Sequence, residues 1–185
     1  MQQPDLSFTA TSKTKPSIEL RPATQQDRST IYNWLVSHLQ ELKTVQSNVR
    51  IPTLEEFSVD YSNSYFTDVD KNKGRSFIIC SGVQELGHIC YHGVSLENLS
   101  AELDLWLKPG ATEHSPECDT QAIQLLCNNL QDSFGCKVAI LTPSRNNKKA
   151  ISTYVRAGFI LSEESSQSPY TTPQDAVILI KTIEK

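Results

Sequence analysis

Apolar and polar residues alternate along SIELRPAT, residues 17–24, with the two-residue period of a strand buried on one face. The period then lengthens. Ile31, Trp34, Leu35, His38, Leu39 and Leu42 recur at three- and four-residue spacing, which predicts an amphipathic helix opened by Thr24 and Asp27 in the manner of a capping box. PTLEEF offers a second helix start: Thr53 is the cap, Glu56 stands three residues on, and Phe57, Tyr61 and Tyr65 follow along one side. Three runs come next, RSFIIC (75–80), ELGHICYHGV (85–94) and SAELDLWL (100–107). Short turns divide them, as in an antiparallel meander. Beyond the loop KPGATEH, Ala122, Ile123, Leu126, Cys127, Leu130 and Phe134 form another helical stripe, stopped by Gly135. KVAILTP (137–143) is almost continuously apolar, as a buried strand is. NNKKAISTYVRAGF (146–159) reads as a helix ending at Gly158, and AVILIKTI (176–183) as a last strand. With no internal repeat or linker, this order predicts one α/β (α+β) domain, a mixed central sheet flanked by helices, over residues 17–185. Residues 1–16 read as a polar, mobile tail.

Composition narrows the functional classes. A chain of 185 residues, 38% hydrophobic and 21% charged, suits one ordinary globular domain. A net charge of −4 argues against a nucleic-acid partner, which usually calls for a clustered basic excess. No apolar run approaches ~18 residues and the N-terminus lacks the apolar stretch of a signal peptide, so the expectation is a cytoplasmic protein with no membrane partner. Five cysteines form no CxxC pair, and an odd number cannot all pair within the chain; reduced thiols follow. Four of them sit among apolar neighbours. Cys118 is the exception, at a helix start that lowers a thiol pKa, but Glu117 and Asp119 oppose that effect, and no strand-turn-helix elbow supports a triad with His114.

Candidate chemistry gathers in the second half. Along AELDLWL, the two-residue period puts Leu103, Leu105 and Leu107 on one face and Glu102, Asp104 and Trp106 on the other. Two carboxylates ~6.6 Å apart beside an indole suit either a general base or a solvated strand face. His88, Cys90 and His92 also share a face, but the strand rise separates the two imidazoles by ~13 Å, too far for one metal ion. No metal site is expected. His38 reads as a packed side chain on its helix.

The order of elements and three phrases carry a resemblance. SIELRPATQQDRSTIYNWL resembles the opening strand and helix of the GNAT superfamily of acyl-CoA-dependent N-acyltransferases, and LENLSAELDLWL its central strand. RNNKKAISTYVRAGFI is similar to the family signature at Asn147, Ala150, Tyr154, Gly158 and Phe159. The resemblance implies acetyl-CoA as co-substrate and direct attack of an amine on its thioester. It places Glu102 as the base that takes the amine's proton and Tyr154 as the acid toward the departing thiolate. It leaves the role of Asp104 open, and it puts Leu105, Leu107, Lys108, His114, Thr120 and Asn147 at the cofactor, Asn147 on the pantetheine arm. The length and the PTLEEF helix look like the branch acting on aminoglycosides and ribosomal-protein N-termini. The implied partner is therefore an amine-bearing small molecule or a peptide, bound between the first two helices and the last hairpin, near residues 165–175.

One stretch departs from the family. The helix after the central strand usually opens with glycines whose bare amides meet the CoA pyrophosphate. Here those positions are Glu117 and Asp119, the basic position is His114, and Ser115-Pro116-Glu117 reads as a helix start complete without a ligand. Two expectations follow: an N-acetyltransferase that holds CoA through the KPGAT loop, Lys108, Arg145, Lys148 or Lys149, or a degenerate member of the fold that acts as a binding or assembly module. Sequence alone leaves the oligomeric state unknown.

Overall fold

The computed structural model describes residues 17–45, 49–111, 115–162 and 175–183. The N-terminal tail, His114 and residues 165–174 lie outside them. Seven strands form one mixed sheet, β1 (Ile18–Pro22), β2 (Gly74–Ser81), β3 (Gln84–Ser95), β4 (Ser100–Leu107), β5 (Val138–Leu141), β6 (Ile160–Ser162) and β7 (Ile178–Thr182), in the spatial order β1-β2-β3-β4-β5-β7-β6. All neighbours are antiparallel except β4 and β5. The α+β class, the meander and the mixed sheet stand as the hydrophobic pattern predicts. The three-residue β6 is additional, being too short to show a period.

Helices α1 (Arg28–Val45) and α2 (Leu54–Asp60) cover one face of the sheet; α3 (Pro116–Phe134) and α4 (Lys148–Arg156) cover the other. The starts of the first two are closed locally. The Asp27 carboxylate accepts from the Thr24 backbone N–H at 2.7 Å and from its hydroxyl at 2.9 Å. Thr53 and Glu56 satisfy each other's backbone N–H at 3.2 and 2.8 Å, the capping box read from PTLEEF. Gly135 ends α3 in the left-handed region at φ 69°, its N–H bonded to the Gln131 carbonyl.

The two faces bury different materials. Under α3 and α4 the core is mostly aliphatic, with Ile89, Leu103, Ile123, Leu126, Leu130 and Leu179 all inaccessible to solvent. Under α1 and α2 it is aromatic and polar: Phe57, Tyr61, Tyr65 and Trp106 enclose His88 and Cys90. Cys118, expected to stand apart from the other cysteines, is fully buried, and Cys80 is the part-exposed one. The α3 stripe carries Cys118 inward with Ala122, a placement its polar sequence neighbours disguise. No helix among the described residues is long and apolar enough to cross a membrane.

Candidate active-site cleft

β4 is twice as long as β5, and this mismatch makes the site. The parallel pairing runs from Ser100 opposite Val138 to Leu103 opposite Leu141 and stops there. Pro143 follows closely, has no N–H to continue a ladder, and turns the chain toward Val177, whose N–H its carbonyl accepts at 3.0 Å. Among the described residues, Asp104–Leu107 keep β3 on one side and have no strand partner on the other. A cleft of about 370 Å³ opens along this free edge.

Each wall of the cleft has its own chemistry. β4 gives Leu105, Trp106, Leu107 and then Lys108, whose ammonium lies 5.9 Å from the centre of the Trp34 ring. α4 gives Asn147, Lys149, Ala150, Thr153 and Tyr154. Asn147 caps the helix with its side-chain oxygen, which accepts from the Ala150 N–H at 3.1 Å and leaves the amide NH₂ as a donor. The Tyr154 hydroxyl has no hydrogen-bond partner among the described residues, and burial, reinforced by Asp104 and Asp119, pushes its pKa well up. It stays protonated at neutral pH. α3 gives Asp119, 6% exposed and in the helix's first turn, and α1 gives His38 and Glu41. Burial depresses the His38 pKa, partly offset by Glu41 and Asp104.

Leu105, Leu107, Lys108, Asn147 and Tyr154 therefore line one cleft, although the first and last are 49 residues apart in sequence. Glu102 and Thr120 do not join them. Glu102 is on the α1 and α2 face, where its carboxylate accepts from the Thr142 hydroxyl at 2.7 Å. Thr120 turns its hydroxyl back to the Pro116 carbonyl at 3.1 Å and lines a second hollow with Glu117 and Arg156. His38, read as a packed side chain, reaches the cleft because α1 crosses the sheet where β4 and β5 part. A helical stripe alone gives no hint of that.

A second polar group lies on the α2 side of the parting point. Asp104 Oδ2 accepts from His92 Nε2 at 2.9 Å and from the Tyr61 hydroxyl at 3.3 Å, while Tyr65 Oη and His92 Nδ1 are 3.0 Å apart. Burial works against a charged His92, but the Cys90 sulfur and the Asp104 carboxylate beside it prevail, and its pKa lies well above the ordinary imidazole range. The neighbouring His88 is different: fully buried 4.2 Å from the Trp106 ring, with no hydrogen-bond partner for either ring nitrogen among the described residues, it has a pKa pushed down to about 3 by desolvation. No group of three or more metal-ligating side chains converges among the described residues.

No protein-family model and no curated protein matches this chain in sequence. Solved structures do match in shape. A spermidine N-acetyltransferase from Vibrio cholerae, in complex with CoA and spermine, superposes with a TM-score of 0.70 over 91% of this chain and 97% of its own, at 15% identity. A ribosomal alpha-N-protein acetyltransferase in complex with coenzyme A gives 0.69, over 91% and 96%, at 14% identity. An aminoglycoside acetyltransferase in complex with coenzyme A and kanamycin gives 0.65, over 90% and 95%, at 20% identity. The chain has the fold of the GNAT N-acetyltransferases.

Proposed function

We propose that the protein is an N-acetyltransferase that moves an acetyl group from acetyl-CoA to a primary amine. The observation that carries this reading is the unpaired edge of β4 facing Asn147 and Tyr154 across one cleft. A fold hosts many functions, so the argument rests on the cleft. A pantetheine arm carries two amides. The free backbone edge at Asp104–Leu107 and the Asn147 NH₂ offer it matching donors and acceptors, with Leu105 and Leu107 as apolar walls. Acetyl-CoA would supply the thioester whose carbonyl the amine attacks and whose sulfur departs. Tyr154, held protonated by burial, lines the cleft with an unused O–H that would serve as a donor to that sulfur. A thiol of pKa ~8.5 leaves as a weaker base than a phenolate, so Tyr154 stabilises the thiolate by hydrogen bonding, and the final proton comes from solvent. One of the two β4 carboxylates on the opposite face, Glu102 or Asp104, takes the ammonium proton.

The diphosphate fits less well. Asp119 lines the cleft at the start of α3, where a diphosphate would meet free helix amides, and Lys108 and Lys149 are the cations lining the same cleft. We infer that these two lysines hold the diphosphate away from α3. A cationic amine as acceptor is supported by the neighbours, whose bound ligands include a polyamine and an aminoglycoside, and by the chain's acidic surplus, which steers such an amine toward it. The buried Asp119 is also the observation that favours a second reading, a GNAT-fold module that has lost CoA and binds a partner instead.

Calorimetric titration with acetyl-CoA separates the two. A dissociation constant in the micromolar range supports the enzyme; no heat at millimolar ligand supports the module. In the enzyme, Tyr154→Phe lowers kcat with little change in acetyl-CoA affinity, since the lost O–H acts on the leaving sulfur and not on the bound ground state. An unchanged kcat removes Tyr154 from the mechanism.

A further inference from the structure

Of the two β4 carboxylates, Glu102 is tied to Thr142, a neutral donor. Asp104 belongs to a longer chain, Tyr65–His92–Asp104, with Tyr61 bonded to the same carboxylate oxygen as His92. Oδ1 of Asp104 makes no hydrogen bond among the described residues. The Asp104 side chain is 35% exposed and that of His92 28% exposed, so an incoming cation can reach this carboxylate. Asp104 is also the first residue of β4 beyond the last pair with β5, the point where the two sides of the sheet communicate.

We propose that Asp104 receives the acceptor's ammonium, and that His92 and Tyr65 are positioning residues which fix this carboxylate and, when the imidazole is charged, neutralise it in the acceptor's place. The inference rests on the amine-acceptor reading above and names the residue that meets the amine. Two hydrogen-bond arrangements fit the distances. With a neutral imidazole, Nε2–H donates to Asp104 and the Tyr65 hydroxyl donates to Nδ1; the carboxylate keeps its full charge and an open oxygen. With an imidazolium, Nδ1–H donates to Tyr65 Oη, and the pair His92–Asp104 is neutral. An ammonium then meets no net charge. In the first arrangement Asp104 can take one proton from R–NH₃⁺: an N–H bond breaks, a carboxyl O–H forms, and the nitrogen keeps the electron pair it needs as a nucleophile.

The groups around the imidazole are consistent with this competition. Cys90 approaches Nε2 to 3.7 Å from its own strand, Glu102 lies opposite on β4, and Tyr61 and Tyr65 cover it from the segment after α2. β2 presents only Gly74 at the paired position, and His88 on β3 is neutral. Of the two carboxylates, Asp104 is the one bonded to the ring, and with the Cys90 sulfur it favours the charged form.

The test is a pH titration of the His92 imidazole by NMR in the full-length protein, with and without spermine as the polyammonium probe and with no acetyl-CoA present. Saturating spermine should lower the His92 pKa by about one unit or more, because two cations compete for one carboxylate. Asp104→Asn should lower it similarly and abolish the spermine effect; Tyr65→Phe, which keeps the ring in place, should shift it less. In turnover with acetyl-CoA, the KM for spermine should fall as pH rises through the His92 pKa, and His92→Gln should lose that limb. A His92 titration unmoved by spermine in the wild-type protein overturns the proposal, and that arm requires no variant to fold. Because it also requires no acetyl transfer, an inactive protein can pass it, and an active enzyme that fails it loses this assignment alone.

Discussion

Two helices begin beside the same cleft and line it with opposite charges, Asp119 from α3 and Lys149 from α4. α3 opens with Pro116 and carries Glu117 and Asp119 in its first turn; α4 opens with Asn147 as cap and carries Lys148 and Lys149. The backbone gives both starts the same positive end. Acids there are stabilising, each by ~0.3–1 kcal/mol, and lysines are unfavourable by a similar amount. The start of α3 is therefore electrostatically complete within the chain. The start of α4 adds two cations to a positive dipole. The difference teaches that the polarity of a helix end is set by the residues placed on it, since the dipole is common to both.

The comparison breaks most visibly if the acids at α3 are removed. Glu117→Gly with Asp119→Gly should tighten CoA binding by up to ~100-fold, since one repulsion at ~5 Å and an effective dielectric of ~20 is on the order of 3 kcal/mol before screening. The same variant should melt several degrees lower, because favourable dipole contacts are lost and two glycines enter a first turn at ~1 kcal/mol each. If melting falls and calorimetry shows no change in affinity, the diphosphate never approaches this helix. A smaller effect of opposite sign is expected at α4. Lys149→Glu should weaken CoA by about tenfold, the equivalent of ~1.4 kcal/mol, while raising the melting temperature slightly. A variant that loses stability and keeps CoA affinity would falsify the assignment of Lys149. The smallest contrast concerns the caps. Asn147→Ala should cost about 1 kcal/mol in urea unfolding, through the bond to Ala150, whereas Ser115→Ala should be near neutral because Ser115 makes no side-chain cap bond.

How much was legible in the sequence follows from which interactions are local. Periodicity placed six strands and the helices, since each buried face repeats along its own element, and the Thr53–Glu56 box was readable because both partners lie within one turn. Tyr154 and Asn147 were singled out through the resemblance of one helix to the family signature, and their shared place on the cleft comes from the fold. His92 was noticed only as a metal candidate and set aside on distance. Its partnership with Asp104 is a diagonal contact between β3 and β4, and it depends on a register that shifts after His92. The serines at the two ends of the connecting turn, Ser95 and Ser100, are paired in the ladder and could have suggested that register. Glu102 and Asp104 share a face, but their different partners, Thr142 just past β5 and His92 on β3, come from opposite sides of β4. No one-dimensional spacing separates them.

The unpartnered imidazole of His88 carries a consequence for how the protein tolerates acid. An unfolded chain binds a proton at this residue near pH 6.5, whereas the folded one holds its ring neutral down to about 3. Between those values the unfolded state binds more protons, so folding stability drains away as the pH falls, by up to a few kcal/mol in total, and is unaffected above the window. Protonation would put a cation against the indole of Trp106 in a closed aromatic shell, leaving unfolding as its route to water. Acidification should therefore end in a cooperative loss of structure, with the Trp106 environment lost in the same step as the sheet.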